Sequence, residues 1–206
     1  GAATGGAAAE RWLLQSAAAA ASSARSVEGV RMACGIIAHG LGLRTMNPRA
    51  RLLVEQLQLE PHPEGGWFRE VYRSETQVET GDGRAPRAAL TTIFYLLPAG
   101  DHSRWHRVRS DEAWHLYEGG PLELLLAPPE LQRIERVRLG AVGQESGPVH
   151  TVPALWWQAA RPLGEYALLG CTVGPGFEYE DFSLLEDDPM ALRLLQRLDP
   201  QLAVLA

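Results

Sequence analysis

Residues 100–119 read GDHSRWHRVRSDEAWHLYEG and hold three of the chain's six histidines, together with Glu112 and two tryptophans. Imidazole is both a base near neutral pH and a metal ligand, and a carboxylate beside it can pass a proton or complete a coordination shell. Three readings therefore compete for this stretch: a metal site, a metal-free pocket, or a sheet strand whose histidine is merely hydrogen-bonded in a core.

Whatever the chemistry, strands must position it. From Trp67 to about Leu185 the chain is a series of short β-rich runs, among them ALTTIFYLL, EAWHLYEG, LELLLA, HTVP and YALLGCTV, separated by turns such as PAGD, EGGP, APPE and GPGF. That pattern predicts an antiparallel sandwich or barrel. Alternation along WFREVYRSE predicts that Phe68, Glu70 and Tyr72 share one face, with Trp67, Arg69, Val71 and Arg73 on the other. In the 111–119 strand the same rule sets His115 opposite Glu112, Trp114 and Leu116. Asn47-Pro48 is an N-cap followed by a favoured first helical residue, which predicts a short helix over about 49–58. Asp188-Pro189 predicts a second helix near the C-terminus. The HPEGG turn reads as structural, with Glu64 anchoring it.

Two sets of anchors keep fixed intervals. Gly100 is followed by His106, Val108, Glu112 and Gly119, and Gly147 by Pro153, Leu155, Gln158 and Pro162. These spacings resemble the two motifs of the cupin superfamily, G-x5-H-x-H-x3-E-x6-G and G-x5-P-x-G-x2-H-x3-N. HPEGGWFRE (62–70), SRWHRVRSDEAWHLYEG (103–119), VPALWWQ (152–158) and GCTVGPGFEYEDF (170–182) are similar to the cupin_5 group of uncharacterised cupins. The resemblance implies a mainly β fold, the double-stranded β-helix or jelly-roll barrel, and a homodimer. It implies no agreed activity. Sugar-nucleotide 3,5-epimerases, which adopt the same jelly roll, indicate that such a barrel can carry acid–base chemistry without a metal.

The departures bear on that chemistry. Metal cupins converge three histidines and a glutamate on one ion. Here His106 and Glu112 hold the first histidine and glutamate positions, but Val108 and Gln158 stand where the other two imidazoles would be. An isopropyl group has no lone pair, and a carboxamide oxygen is a weak donor to a transition metal. His102, Ser103 or His115 are the candidates for filling in. The expectation is a metal-free pocket with no cofactor, in which His106 and Glu112 are the catalytic pair and Glu70, Tyr72, Ser103, His106, Glu112 and Gln158 contact ligand. Arg69, Arg73, Arg104, Arg107 and Arg109 read as a solvated face, with the alternative that one or two of them grip an anionic substrate group. The function expected is binding of a small polar organic ligand, for instance a sugar or nucleotide-sugar, with epimerase or isomerase chemistry. The alternatives are a metal-dependent oxygenase or isomerase, its divalent metal on His106, Glu112 and Gln158, and a non-catalytic sensor or scaffold.

With 206 residues, 46% of them apolar, the chain can bury one sizeable core, and one domain is expected over 47–206. A net charge of -6 and the absence of a basic run argue against nucleic acid or an anionic membrane as partner. No apolar run approaches the roughly 18 residues of a membrane span. Cys34 and Cys171 are too few and too far apart for a disulfide framework, which suits a reducing compartment. Residues 1–46, rich in alanine, glycine and serine and poor in acids, read as a dispensable leader, either an organelle transit segment or an extension. The protein is accordingly expected in the cytoplasm, or in an organelle if that leader is a transit segment.

Overall fold

In the computed structural model, which describes residues 46–206, both predicted helices are present and capped as their sequences dictate. The Asn47 side chain accepts hydrogen bonds from the backbone N–H groups of Arg49 (2.8 Å) and Ala50 (3.3 Å), and Pro48 opens helix α1 (Pro48–Gln56). Asp188 does the same for Met190 (3.1 Å) and Ala191 (3.0 Å) at the start of α2 (Pro189–Leu198). The leader up to residue 45, with Cys34, lies outside the described residues. Met46, which the sequence assigned to that leader, is only 8% exposed and packs with Leu53, Trp67 and Leu96.

Between the helices the turns divide the chain into β1 (Glu60–Pro61), β2 (Trp67–Arg73), β3 (Gln77–Val78), β4 (Arg87–Ala88), β5 (Thr91–Pro98), β6 (Ser103–Val108) and β7 (Asp111–Gly119). There follow β8 (Leu122–Ala127), β9 (Glu135–Leu139), β10 (Val149–Val152), β11 (Trp157–Pro162), β12 (Tyr166–Gly174) and β13 (Phe182–Leu184). One antiparallel sheet has the order β1-β2-β5-β12-β7-β10, the other β13-β6-β11-β8-β9, and β3 with β4 forms a small separate ladder. This is the mainly β, antiparallel arrangement that turn spacing predicted, in the jelly-roll form that the resemblance implied. The consecutive strands β6 and β7 belong to different sheets. His106 and Glu112 therefore stand on two facing walls although six positions apart in sequence.

Three apolar clusters hold the layers together. The central one interleaves Tyr95, Trp114 and Leu169 of the six-stranded sheet with Leu122, Leu124 and Leu126 of the other. Helix α1 closes a second cluster with Trp67, Leu96 and Leu168, and α2 a third with Trp105, Leu125 and Trp157. Each of the four fully buried tryptophan and tyrosine rings Trp105, Trp114, Trp157 and Tyr95 contributes on the order of 2–3 kcal/mol by leaving water. The central cluster does not fill the whole space between the sheets. Toward the end closed by β1, β13 and the 175–181 loop, a cavity of about 360 Å³ remains.

The loop that borders this cavity is pinned by charge. Asp181, 4% exposed, accepts from Arg84 (2.8 Å) and from Arg87 through both carboxylate oxygens (2.9 and 3.2 Å). Burial alone would raise its pKa, yet the two guanidiniums hold it below the usual carboxylate value. Removing the carboxylate leaves the largely buried Arg87 with backbone carbonyls and a distant Glu180 (3.8 Å), while Arg84 keeps Asp82 and Ser110. Asp181→Ala should therefore destabilise the fold by about 3 kcal/mol in denaturant unfolding, whereas loss of the α1 cap in Asn47→Ala should cost only about 1 kcal/mol.

Candidate functional site

The cavity wall is built by elements far apart in sequence. β2 and β5 supply Phe68, Glu70, Arg73, Ile93 and Tyr95, and β6 and β7 supply His106, Val108 and Glu112. Cys171 and Val173 of β12 face it, and the HPEGG turn and the 177–182 segment close over it. Glu70, His106 and Glu112 thus reach the place the sequence assigned to them. His115 stays out of the cavity, on the far face of β7 against Tyr117, as alternation predicted. His102 lines a separate shallow hollow and Trp67, Trp105, Trp114, Trp156 and Trp157 line no part of the cavity.

Two irregularities defeat simple alternation. In β2 the register runs Glu70 to Ile93 and then Tyr72 to Thr92, so Val71 is an extra, bulged residue. The bulge turns Tyr72 outward, where it is 52% exposed, and brings Arg73 inward in its place. Tyr72 is therefore not a pocket residue. In β6 a second register shift separates the His106–Gln158 pair from Ser103–Ala160. It allows Ser103 to face the same side as His106, but Ser103 is completely buried behind the wall rather than on it.

Ser103 instead serves Glu64. Its hydroxyl donates to Glu64 Oε1 at 2.9 Å, and Glu64 Oε2 lies 3.3 Å from His106 Nδ1 and 3.8 Å from His62 Nδ1. Glu64 is 6% exposed. The carboxylate against the ring of His106 is thus Glu64, from the turn read as structural, and Glu112 stands across the cavity. The turn can deliver it because Gly65 and Gly66 adopt positive φ (109° and 69°) and pass close to backbone: a Cβ on Gly65 would sit 2.2 Å from the His102 carbonyl oxygen. His106 Nδ1 also lies 2.7 Å from the carbonyl oxygen of Arg104. A carbonyl only accepts, so Nδ1 carries the hydrogen and Nε2 bears the lone pair of the neutral ring. Nε2 has no hydrogen-bond partner among the described residues. Phe182 stacks on the ring, with centroids 5.4 Å apart.

Glu112 is 7% exposed and held from the opposite sheet. The indole N–H of Trp114 donates to Gln158 Oε1 at 2.9 Å, which fixes the carboxamide so that its NH2 donates to Glu112 Oε2 at 2.6 Å. Gln158 is fully buried and is not on the cavity surface; it positions Glu112 rather than contacting a ligand. Burial raises the Glu112 pKa to about 7. The nearby Glu64 charge pushes the same way, while His106, Gln158 and Cys171 oppose it. Burial likewise pushes the Cys171 thiol up and the His62 imidazole down, so both favour their neutral forms.

A metal of the cupin type does not fit this donor set. Val108 faces the cavity without a lone pair, and both ends of the Gln158 amide are committed to Trp114 and Glu112. No three His, Cys, Asp or Glu side chains among the described residues are grouped to hold an ion. Nor is there a free anion grip. Arg73 is the arginine at the cavity, and it is bound by Glu70 at 2.8 and 3.1 Å and by Glu178 at 2.7 Å. Arg69 is engaged by Gln58, Arg104 by Glu186 and Pro63, and Arg109 by Asp82, while Arg107 lies over the Trp157 ring.

Known proteins bear on this architecture. Residues 51–185 match a family model described as Cupin superfamily (DUF985). Among solved structures, a hypothetical protein from Leishmania major is 33% identical, with a TM-score of 0.64, and the alignment covers 74% of this chain and 93% of that one. Protein SO0799 from Shewanella oneidensis is 30% identical, with a TM-score of 0.62 and coverage of 74% and 90%. No curated protein matches in sequence. Since the family match spans well over half of the chain and contains the HPEGG turn, both motif strands and the Phe182 segment, the chain belongs to the Cupin superfamily, in its DUF985 group.

Proposed function

We propose that the cavity binds a small polar organic ligand and moves a proton on it, with His106 and Glu112 acting from opposite walls and no metal taking part. The observation that carries this reading is the pair itself. One wall presents an imidazole nitrogen with an open lone pair, and the other a carboxyl group that gains and loses its proton near neutral pH. In this scheme the Arg104 carbonyl holds the His106 tautomer and Glu64 supports the imidazolium when Nε2 takes a proton. Gln158 and Trp114 aim the Glu112 carboxyl, and Phe182 limits the tilt of the imidazole. Isomerase or epimerase chemistry, in which one group removes a proton and another returns it on the far side, suits two acid–base groups on facing walls.

Screening a metabolite library by melting shift, then following hits by NMR in D2O, tests the reading. Wild type should exchange an activated C–H of the bound compound for deuterium, and both His106→Gln and Glu112→Gln should lose exchange by at least about 100-fold while retaining binding. A compound that binds in the cavity without exchange or turnover in wild type would make the protein a sensor instead.

Stability gives an independent check on Glu112. Its folded pKa of about 7 lies above the unfolded value of 4.5, so the folded state binds this proton more tightly. The resulting stability is fully present below the unfolded value and is lost as pH rises through the folded one, to a total of about 3 kcal/mol. Glu112→Gln keeps an acceptor for Gln158 and removes the titration. Relative to wild type, the variant should gain about that amount between pH 4.5 and 7 in denaturant unfolding, and parallel curves would show that Glu112 is not buried in an ionisable state.

The donor set also predicts metal content. Protein purified without affinity nickel and dialysed should retain well under one equivalent of iron, manganese, nickel or zinc by elemental analysis. Val108→His with Gln158→His should raise affinity for such ions if the strand geometry is that of a metal cupin.

A further inference from the structure

The charge of the cavity narrows the ligand class. Its lining holds five glutamates, Glu60, Glu64, Glu70, Glu112 and Glu178, against the single arginine Arg73, whose guanidinium is already shared by Glu70 and Glu178. His62, buried, favours its neutral form. An anionic ligand such as a nucleotide diphosphate would meet net negative charge in a space of reduced dielectric and find no unpaired cation. The walls between the carboxylates are aromatic. Phe182 stands 5.4 Å from His106, 6.1 Å from Phe177 and 6.5 Å from His62 between ring centroids, and Phe177 is 5.2 Å from Tyr179. Such faces attract positive charge.

A third observation is independent of the carboxylates. His106 is 2% exposed and its Nδ1–H is held on the Arg104 carbonyl, so Nε2, an acceptor in the neutral ring, is left without a partner among the described residues and is free for the ligand. We infer that the ligand is a small protonated amine, whose ammonium group lies among the Phe182 and Phe177 rings under the negative field of the glutamates, with the activated C–H beside it turned to His106 Nε2. This rests on reading the cavity as a small-molecule site and names the charge that site selects. A carbohydrate ligand would then be an amino sugar rather than a sugar nucleotide.

Benzylamine, benzyl alcohol and benzoate share one ring and differ in charge, so their affinities at neutral pH, from melting shifts and calorimetry, test the inference. Benzylamine should bind at least about tenfold more tightly than the alcohol, with benzoate weaker still, and added salt should erode the preference. Arg73→Gln frees two carboxylates and should tighten benzylamine binding by about threefold, and Glu60→Gln, at the rim, should weaken it. Should Arg73→Gln fail to fold, Glu60→Gln carries the charge test alone. Equal affinities, a preference for benzoate lost in Arg73→Gln, or stabilisation by calcium chloride but not by benzylamine would overturn the inference. Binding of the alcohol or benzoate that Val108→Trp abolishes by filling the cavity would overturn only the choice of an amine. If no library compound of any charge binds in a Val108→Trp-sensitive way, the small-ligand reading falls with it.

Discussion

Two carboxylates held between apolar sheets are the constraint from which the rest of the site follows. A buried carboxylate costs several kcal/mol unless it is protonated or supplied with donors. Glu64 and Glu112 meet that demand differently. Glu64 faces a hydroxyl and an imidazole, Ser103 and His106, both brought to it by the irregular register of β6. Glu112 has a neutral amide, that of Gln158, and its proton affinity rises. Structural and chemical roles are not separable here, because the imidazole that faces Glu64 is the one whose Nδ1–H the Arg104 carbonyl fixes, and the amide that holds Glu112 is the one that aims it.

Much of this was legible in the chain. The Asn47-Pro48 and Asp188-Pro189 caps are local chemistry, and both helices start where those pairs place them. The antiparallel β class followed from turn spacing and the jelly roll from the motif resemblance, and His106, Glu112 and Glu70 line the cavity. The failures share one cause. A bulge leaves no mark in residue type, so period-two counting put Tyr72 inside and Arg73 outside, the reverse of what Val71 imposes. Glu64 was missed for a related reason. Its partners lie 39 and 42 positions away, and a glycine-rich turn is identified by its backbone freedom, not by what its side chains will meet. A charged residue flanked by histidine and two glycines, in a turn that must pack closely, was the available signal.

Gln158 illustrates how a lost metal ligand is absorbed. A carboxamide at a metal-ligand position could in principle turn its oxygen toward an ion. Trp114 prevents that by donating to the oxygen, which leaves only donors facing Glu112. Breaking this arrangement would expose an unsatisfied indole N–H in the core, at a cost of about 1–3 kcal/mol. The carboxyl–carboxamide contact also ties β11 of one sheet to β7 of the other. Its strength depends on whether Glu112 is ionised, since an anionic acceptor strengthens the bond from Gln158 while burial penalises the anion. Burial, with Glu64 beside it, outweighs the opposing pull of His106 and Gln158, and the Glu112 pKa settles at about 7 rather than in the range of an exposed carboxylate.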